Sequence, residues 1–258
     1  MPLPRLVGMI HLRALPGSPG FDGDLDSVIA AARADASTLA EAGFDGLMVE
    51  NFGDAPFFAD DVPKATIAAM TTTVNAIYDE ARIPVGVNVL RNDALGALSI
   101  AAATEASFIR VNVLSGTMFT DQGPIVGRAA EVARLRVTLC PDVAVMADVF
   151  VKHATPPQGL TLEDATNDLL ERGGADAVIV SGAGTGSPAD VEQLSFVSGI
   201  SDLPVYLGSG VTPANAPTML SIADGAIVGT SIKPGGDVDA PVDLDLALAL
   251  IAAVPSNS

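Results

Sequence analysis

The sequence predicts an α/β fold of the (β/α)8 TIM-barrel class, built as a single domain over residues 1–258. Three observations carry this. Eight short apolar runs alternate with longer segments of helical period along the chain. Each run is rich in Val or Ile and is bounded by Gly, Pro, Asp or Asn, as strands buried on both faces of a parallel sheet are. No Gly-x-Gly-x-x-Gly follows the first run and no shift in composition marks a second domain, which disfavours a doubly wound open sheet.

In chain order the predicted strands are Leu6–His11, Gly46–Glu50, Val85–Leu90, Phe108–Val113, Val143–Val149, Ala177–Val180, Val205–Leu207 and Ala226–Val228. Between the first two, Asp26–Ala42 sets Val28, Ile29, Ala32 and Leu39 against Arg33, Asp35 and Glu41 on the other side. Val62–Ala81 spaces Ile67, Met70, Val74 and Ile77 by threes and fours, the period of an amphipathic helix. Thr161-Leu162-Glu163-Asp164 resembles a capping box opening a helix that Gly173-Gly174 stops. Ser187-Pro188 and Thr212-Pro213 read as N-caps with proline in the first turn, and Asp243–Val254 as a final apolar helix.

Composition limits what such a barrel can do. Apolar residues make up 49% of the chain but aromatic ones only 4%, so the core is aliphatic. Cys140 is the one cysteine, which rules out an intramolecular disulfide and a cysteine-based zinc site. No apolar run reaches the roughly 20 residues of a membrane span, and the opening MPLPRLVGMIHLRALPG reads as a strand rather than a secretion signal, so the expected location is cytoplasmic. Thirty-one acidic residues against thirteen basic give a formal charge of −18. Nucleic acid and anionic membranes are therefore excluded as partners. Acid in this excess, with only Lys64, Lys152 and Lys233 as lysines, fits a halophilic cytoplasm in which salt screens self-repulsion.

The polar residues that end the apolar runs point to chemistry, since the site of such a barrel lies at the C-terminal ends of its strands. His11, Glu50 with Asn51, Asn88 with Arg91, Arg110 with Asn112, Asp148 with Lys152, and Ser181 close the first six runs. A carboxylate set against a hydrophobic core costs several kcal/mol unless something offsets its lost hydration, so Glu50 is expected to point into a site. Glu50 and Asp148 are placed to face each other across the mouth, where partial burial would raise one of them toward neutrality and suit it to proton transfer, with His11 as the third acid or base. His153 belongs to the loop beyond Lys152, with a structural or exposed role. Carboxylates near histidine are also donors for a divalent cation, although no His-x-x-x-His motif is present, and no cofactor is expected. A serine nucleophile is not supported. Ser181-Gly182-Ala183-Gly184 lacks the Gly-x-Ser-x-Gly elbow and no histidine follows it.

Glycine-rich loops follow the last three runs: Ser181-Gly182-Ala183-Gly184-Thr185-Gly186, Gly208-Ser209-Gly210 and Gly229-Thr230-Ser231. Glycine lets backbone N–H groups approach an anion, and a helix N-terminus behind each loop would add positive potential. Barrels of this class bind phosphate with the loops after strands seven and eight. In a chain this acidic, backbone amides are a suitable way to hold an anion. The expected ligand is thus a phosphorylated small molecule, gripped by Ser181, Gly182, Gly184, Thr185, Gly208, Ser209, Gly210, Gly229, Thr230 and Ser231, with Asn88, Arg110, Asn112 and Lys152 orienting the rest.

VGMIHLRALPGSP (7–19), VENFGDAPF (49–57), GVNVLRND (86–93), FIRVNVLSG (108–116) with TDQG (120–123), MADVFVKHA (146–154), SGAGTG (181–186), GSGVTPAN (208–215) and DGAIVGTSIK (224–233) together resemble the BtpA/SgcQ family along nearly the whole chain. The resemblance implies a barrel of the ribulose-phosphate-binding type and brings the name of a factor needed for photosystem I accumulation in cyanobacteria. Architecturally the chain is also similar to the tryptophan synthase α subunit, where a strand-two glutamate, matched in position by Glu50, does acid/base work and glycine-rich loops hold a phosphate. Two functions follow as expectations. One is an enzyme, a lyase or isomerase on a phosphorylated metabolite. The other is a non-catalytic assembly or stability factor that keeps an ancestral pocket. Barrels of this kind often form homo-oligomers.

Overall fold

A computed structural model describes residues 2–182, 186 and 189–255. Eight parallel strands close a barrel: β1 (Leu6–His11), β2 (Gly46–Glu50), β3 (Val85–Asn88), β4 (Ala106–Val111), β7 (Ala144–Asp148), β9 (Ala177–Val180), β10 (Val205–Leu207) and β11 (Gly225–Val228). They neighbour one another in that order, and β11 returns to pair with β1. The predicted strands are all present, four with the expected bounds and four trimmed or extended by one or two residues at one or both ends.

The helices wrap this barrel. In α1 (Leu25–Ala42), Asp24 caps the start by accepting a hydrogen bond from the Ser27 N–H, and Gly43 ends it in the left-handed conformation at φ 94°. Helix α2 (Lys64–Ala81) follows, then α3 (Ala94–Ala102), α4 (Ala129–Leu139) and α5 (Leu162–Asn167). Thr161 caps α5 as its sequence predicts, accepting from the Asp164 N–H, and the chain continues as a π-helical turn to Gly173 before Gly174 reverses it at φ 73°. Then come α6 (Val191–Ile200), α7 (Ala216–Met219) and α8 (Leu244–Ala253).

One expected helix start needs correction. Thr212-Pro213 does not open a helix. α7 starts four residues after Thr212 and is only four residues long, because the Asn215 side chain is spent on the loop, accepting from the Thr212 N–H at 2.8 Å and donating to the Gly210 carbonyl at 2.9 Å. The stretch after β4 adds strands that the sequence did not predict. It forms the hairpin β5 (Thr117–Thr120) and β6 (Gly123–Val126), to which β8 (Ala154–Thr155) adds, making a small antiparallel sheet that joins the β4 and β7 loops on the mouth side. The Ser187-Pro188 cap lies outside the described residues.

Period-two alternation links the fold to the site. The barrel interior is a separate apolar cluster of Val7, Met9, Met48, Phe108, Met146, Ala177, Ile179, Tyr206 and Ile227, with Phe108 fully buried. Its ring lies where a side chain on Gly86 would stand, so β3 needs glycine there. Two residues beyond each of these inward positions is the next inward position. Met9 leads to His11, Met48 to Glu50, Gly86 to Asn88 and Phe108 to Arg110. Met146 leads to Asp148, Ile179 to Ser181, Tyr206 to Gly208 and Ile227 to Gly229. An apolar plug thus gives way, one layer up, to a ring of polar residues and glycines. The register sets His11 against Glu50 and Glu50 against Asn88 in adjacent strands.

Candidate functional site

The ring divides into an acid/base side and an anion side. On the acid/base side, Glu50 is 3% exposed, yet no hydrogen bond from a described residue reaches its carboxylate. The His11 Nε2 stands 4.0 Å from Glu50 Oε1, beyond hydrogen-bond length. Phe52 packs edge-on against the imidazole with ring centres 5.1 Å apart. Burial, reinforced by Lys233, Lys152 and Arg110, pulls the His11 pKa down to about 3. His11 is therefore a neutral imidazole at neutral pH, and its Nδ1 is buried without a partner.

Asp148 is differently placed. Arg110 Nε donates to its Oδ2 and Nη2 to its Oδ1, both at 2.8 Å, and the Ser181 hydroxyl donates to Oδ1 at 2.7 Å. Side-chain exposure is 2% for Arg110 and 0% for Asp148, so this is a fully buried bidentate pair. Burial alone would lower the Arg110 pKa, but the Asp148 carboxylate, and Glu50 beyond it, hold it above its ordinary value. Three hydrogen bonds hold the two oxygens, so Asp148 is committed first to Arg110 and Ser181. It faces inward like Glu50, but as a clamp on Arg110. The asparagines brace the same wall: Asn88 Nδ2 donates to Asn112 Oδ1 at 2.9 Å and to the Arg110 carbonyl at 3.1 Å, leaving Asn88 Oδ1 buried and unpartnered.

The anion side is a cup lined by His11, Arg110, Lys152, Gly186 and the loops 208–210 and 229–230. A Cβ on Gly208 would stand 2.6 Å from Ile179 Cγ2 and 3.1 Å from Arg110 Nη2, and one on Gly229 would stand 2.9 Å from His11 Cε1. Side chains are thereby kept out of the cup. Gly210 adopts φ 71°, a conformation that favours glycine. The N–H groups of Gly210, Thr230 and Ser231 have no acceptor among the described residues. Ser209 is buried and its Oγ accepts from the Gly182 N–H at 3.1 Å, tying the β9 loop to the β10 loop. Ser231 carries a buried, unpartnered hydroxyl. Gly184 and Thr185 lie outside the described residues. Of the expected helix N-termini, α6 follows the β9 loop, but only short elements follow β10 and β11. A three-residue 3-10 turn, Thr230–Ile232, follows β11 and the short α7 follows β10.

Half-buried Lys152 lines the cup, and burial, aided by Arg110, lowers its pKa. His153 is exposed, with φ 56°. Sequence reasoning set Arg91 in the ring but gave it no role, yet it is 5% exposed. Asn51 likewise stood in the ring without a role, and its side chain fastens Leu90 by accepting from its N–H at 2.7 Å; Lys233, also given no role, donates its buried ammonium to the Val238 carbonyl at 2.6 Å. A cavity of about 320 Å³ beside the mouth, lined by Ser18, Pro19, Phe57, Phe58 and Leu90 among others, is formed by loops whose shape no periodicity predicts.

No three metal-ligating side chains converge at the mouth among the described residues. Asp60, Asp61 and Asp93 do so elsewhere, and Arg128 already pairs with the first two. None of the described helices is long and apolar enough to cross a membrane.

Comparison with known proteins adds to this geometry. Residues 4–256 match the model of the BtpA family. A Synechocystis protein named photosystem I biogenesis protein BtpA is 44% identical over 250 residues, covering 96% of this chain and 87% of its own. Among solved structures, tryptophan synthase of Mycobacterium tuberculosis superposes with a TM-score of 0.63 at 20% identity, over 98% of this chain and 93% of that one. Orotidine 5'-phosphate decarboxylase of Pyrococcus horikoshii gives 0.59 at 13% identity, over 96% and 98%. At such identities the two structures speak for the barrel alone.

Proposed function

This chain belongs to the BtpA family, and from that premise we propose an enzyme that acts on a small phosphorylated metabolite by proton transfer, as a lyase or isomerase. One observation carries the proposal: the Glu50 carboxylate is buried at the mouth with no hydrogen bond from a described residue, beside a cup of glycine-lined amides. An unpaired carboxylate in that position costs stability, and a protein needing only a scaffold would do better with an uncharged residue. Glu50 is the proton carrier. Neutral His11 serves as a hydrogen-bonding partner near it, and Asp148 acts through Arg110 as a positioning residue. The amides of Gly210, Thr230 and Ser231, with Lys152, take the phosphate. Phosphorylated ligands handled by barrel proteins such as the orotidine 5'-phosphate enzyme support this reading by analogy of architecture.

A thermal-shift screen against sugar and nucleotide phosphates tests it. A ligand at a hundredfold excess over Kd stabilises by about 2.7 kcal/mol, an easily read shift. A panel without a single stabilising phosphorylated compound overturns the proposal. It would favour the second reading, a non-catalytic assembly or stability factor, for which the name of the Synechocystis relative is the specific support.

A further inference from the structure

Among the described residues Arg110, Lys152 and Arg91 bring positive charge to this side of the mouth, and two of them have occupations. Arg110 is consumed by Asp148, and Lys152 lines the phosphate cup. Arg91 is left over. It is 5% exposed, its side chain makes one hydrogen bond, from Nη2 to the Lys152 carbonyl at 2.5 Å, and no carboxylate of a described residue pairs with it. Its backbone N–H is fixed to the Phe58 carbonyl at 3.0 Å, so the residue is anchored at its base. Its hydrogen bond to the carbonyl of Lys152, a residue that lines the cup, sets the guanidinium beside the mouth, where Asp148, Glu50, Asp121 and Arg110 are the charged groups that act on it. Arginine does not shed its proton, so it cannot relieve this burial by neutralising. A guanidinium with five donors and one acceptor, withdrawn from water, is an incomplete arrangement.

We propose that Arg91 binds a carboxylate of the substrate, so that the ligand is a phosphorylated carboxylic acid bridging the glycine-loop cup and Arg91. This rests on the proposed phosphate site and specifies its substrate class. A carboxylate suits the position better than a second phosphate. The planar fork of one guanidinium matches it bidentately, and its single negative charge suits a buried cation that no carboxylate of a described residue pairs with. A phosphate dianion would leave an excess negative charge beside Glu50. Proton transfer at Glu50 would then occur on the carbon skeleton between the two anchors.

The experiment uses isothermal titration of the full-length protein with three matched pairs of increasing length: 2-phosphoglycolate against ethylene glycol phosphate, 3-phosphoglycerate against glycerol 3-phosphate, and 4-phosphoerythronate against erythritol 4-phosphate. In at least one pair the acid should bind about tenfold or more tightly than the alcohol, the amount one charged hydrogen-bonded contact supplies. Arg91→Gln should erase that preference while changing the Kd of the alcohol by less than about twofold. Equal affinity within all three pairs of the wild-type protein overturns the inference without any variant having to fold, as does an Arg91→Gln protein that weakens acid and alcohol alike. Binding of the phosphorylated alcohols with no preference for the acids sinks this inference alone. Binding of none of the six sinks the phosphate cup as well.

Discussion

Replacing Asp148 by asparagine removes one charge from a pair whose side chains are 2% and 0% exposed, and leaves the Arg110 guanidinium buried without its counter-ion. Breaking a buried pair at one partner costs about 3–5 kcal/mol, because the remaining charge keeps its desolvation penalty and loses the attraction that offset it. Asparagine retains one acceptor for Arg110 but turns an amide N–H₂ toward another donor, so a loss of about 3 kcal/mol is expected, equivalent to a fall in Tm of roughly 6–12 °C for a domain of this size. Urea denaturation followed by circular dichroism at neutral pH measures it. The paired change Asp148→Leu with Arg110→Met should recover a large part of that loss, since both charges then leave together. A Asp148→Asn protein within about 1 kcal/mol of wild type would refute the clamp. If that protein also lost turnover, Asp148 would return as a proton carrier.

His11 gives a pH signature. Its pKa is about 3 in the folded protein against 6.5 unfolded, so between those values the unfolded chain binds more protons and stability falls as pH falls. At pH 5 the loss reaches about 2 kcal/mol relative to pH 7, and His11→Gln should flatten the stability–pH slope in this window; parallel slopes for the two proteins would contradict the assignment. Gly208→Ala forces a methyl group against Ser181, Ile179 and Arg110 and should cost about 1–3 kcal/mol while weakening phosphate-ester binding in calorimetry; unchanged binding would remove this loop from the cup. With a formal charge of −18, the protein should gain Tm steadily as KCl rises to molar concentration, and indifference to KCl would dismiss the halophilic reading.

The barrel was legible because its signals are local. Each strand is a Val- or Ile-rich run with a breaker at both ends, and the step of two from Met48 to Glu50 or from Phe108 to Arg110 follows once the strand is recognised. The glycine loops were legible for the same reason. What escaped depends on distant partners. Nothing local distinguishes Asp148 from Glu50, since both close a strand. Their difference arises because β7 pairs with β4 and brings in Arg110 from 38 residues away. The neutrality of His11 comes from burial, to which Phe52 contributes, and from Lys233, Lys152 and Arg110 on other elements. The β5–β6 hairpin is two four-residue strands around Thr120–Gly123, too short and too polar for periodicity to register. Arg91 stood in plain view, but its lack of a partner is a property of three dimensions.

The central claim is that Glu50 moves a proton on a phosphorylated ligand held at the glycine loops. It is tested most directly by NMR, following exchange of carbon-bound hydrogen of a bound phosphorylated ligand with solvent deuterium, in wild type and in Glu50→Gln. The account predicts exchange catalysed by the wild type and slowed by about 10²–10⁴-fold in the variant, with ligand affinity preserved. Exchange at equal rates in the two proteins, or its absence from the wild type while the ligand is bound, would contradict it.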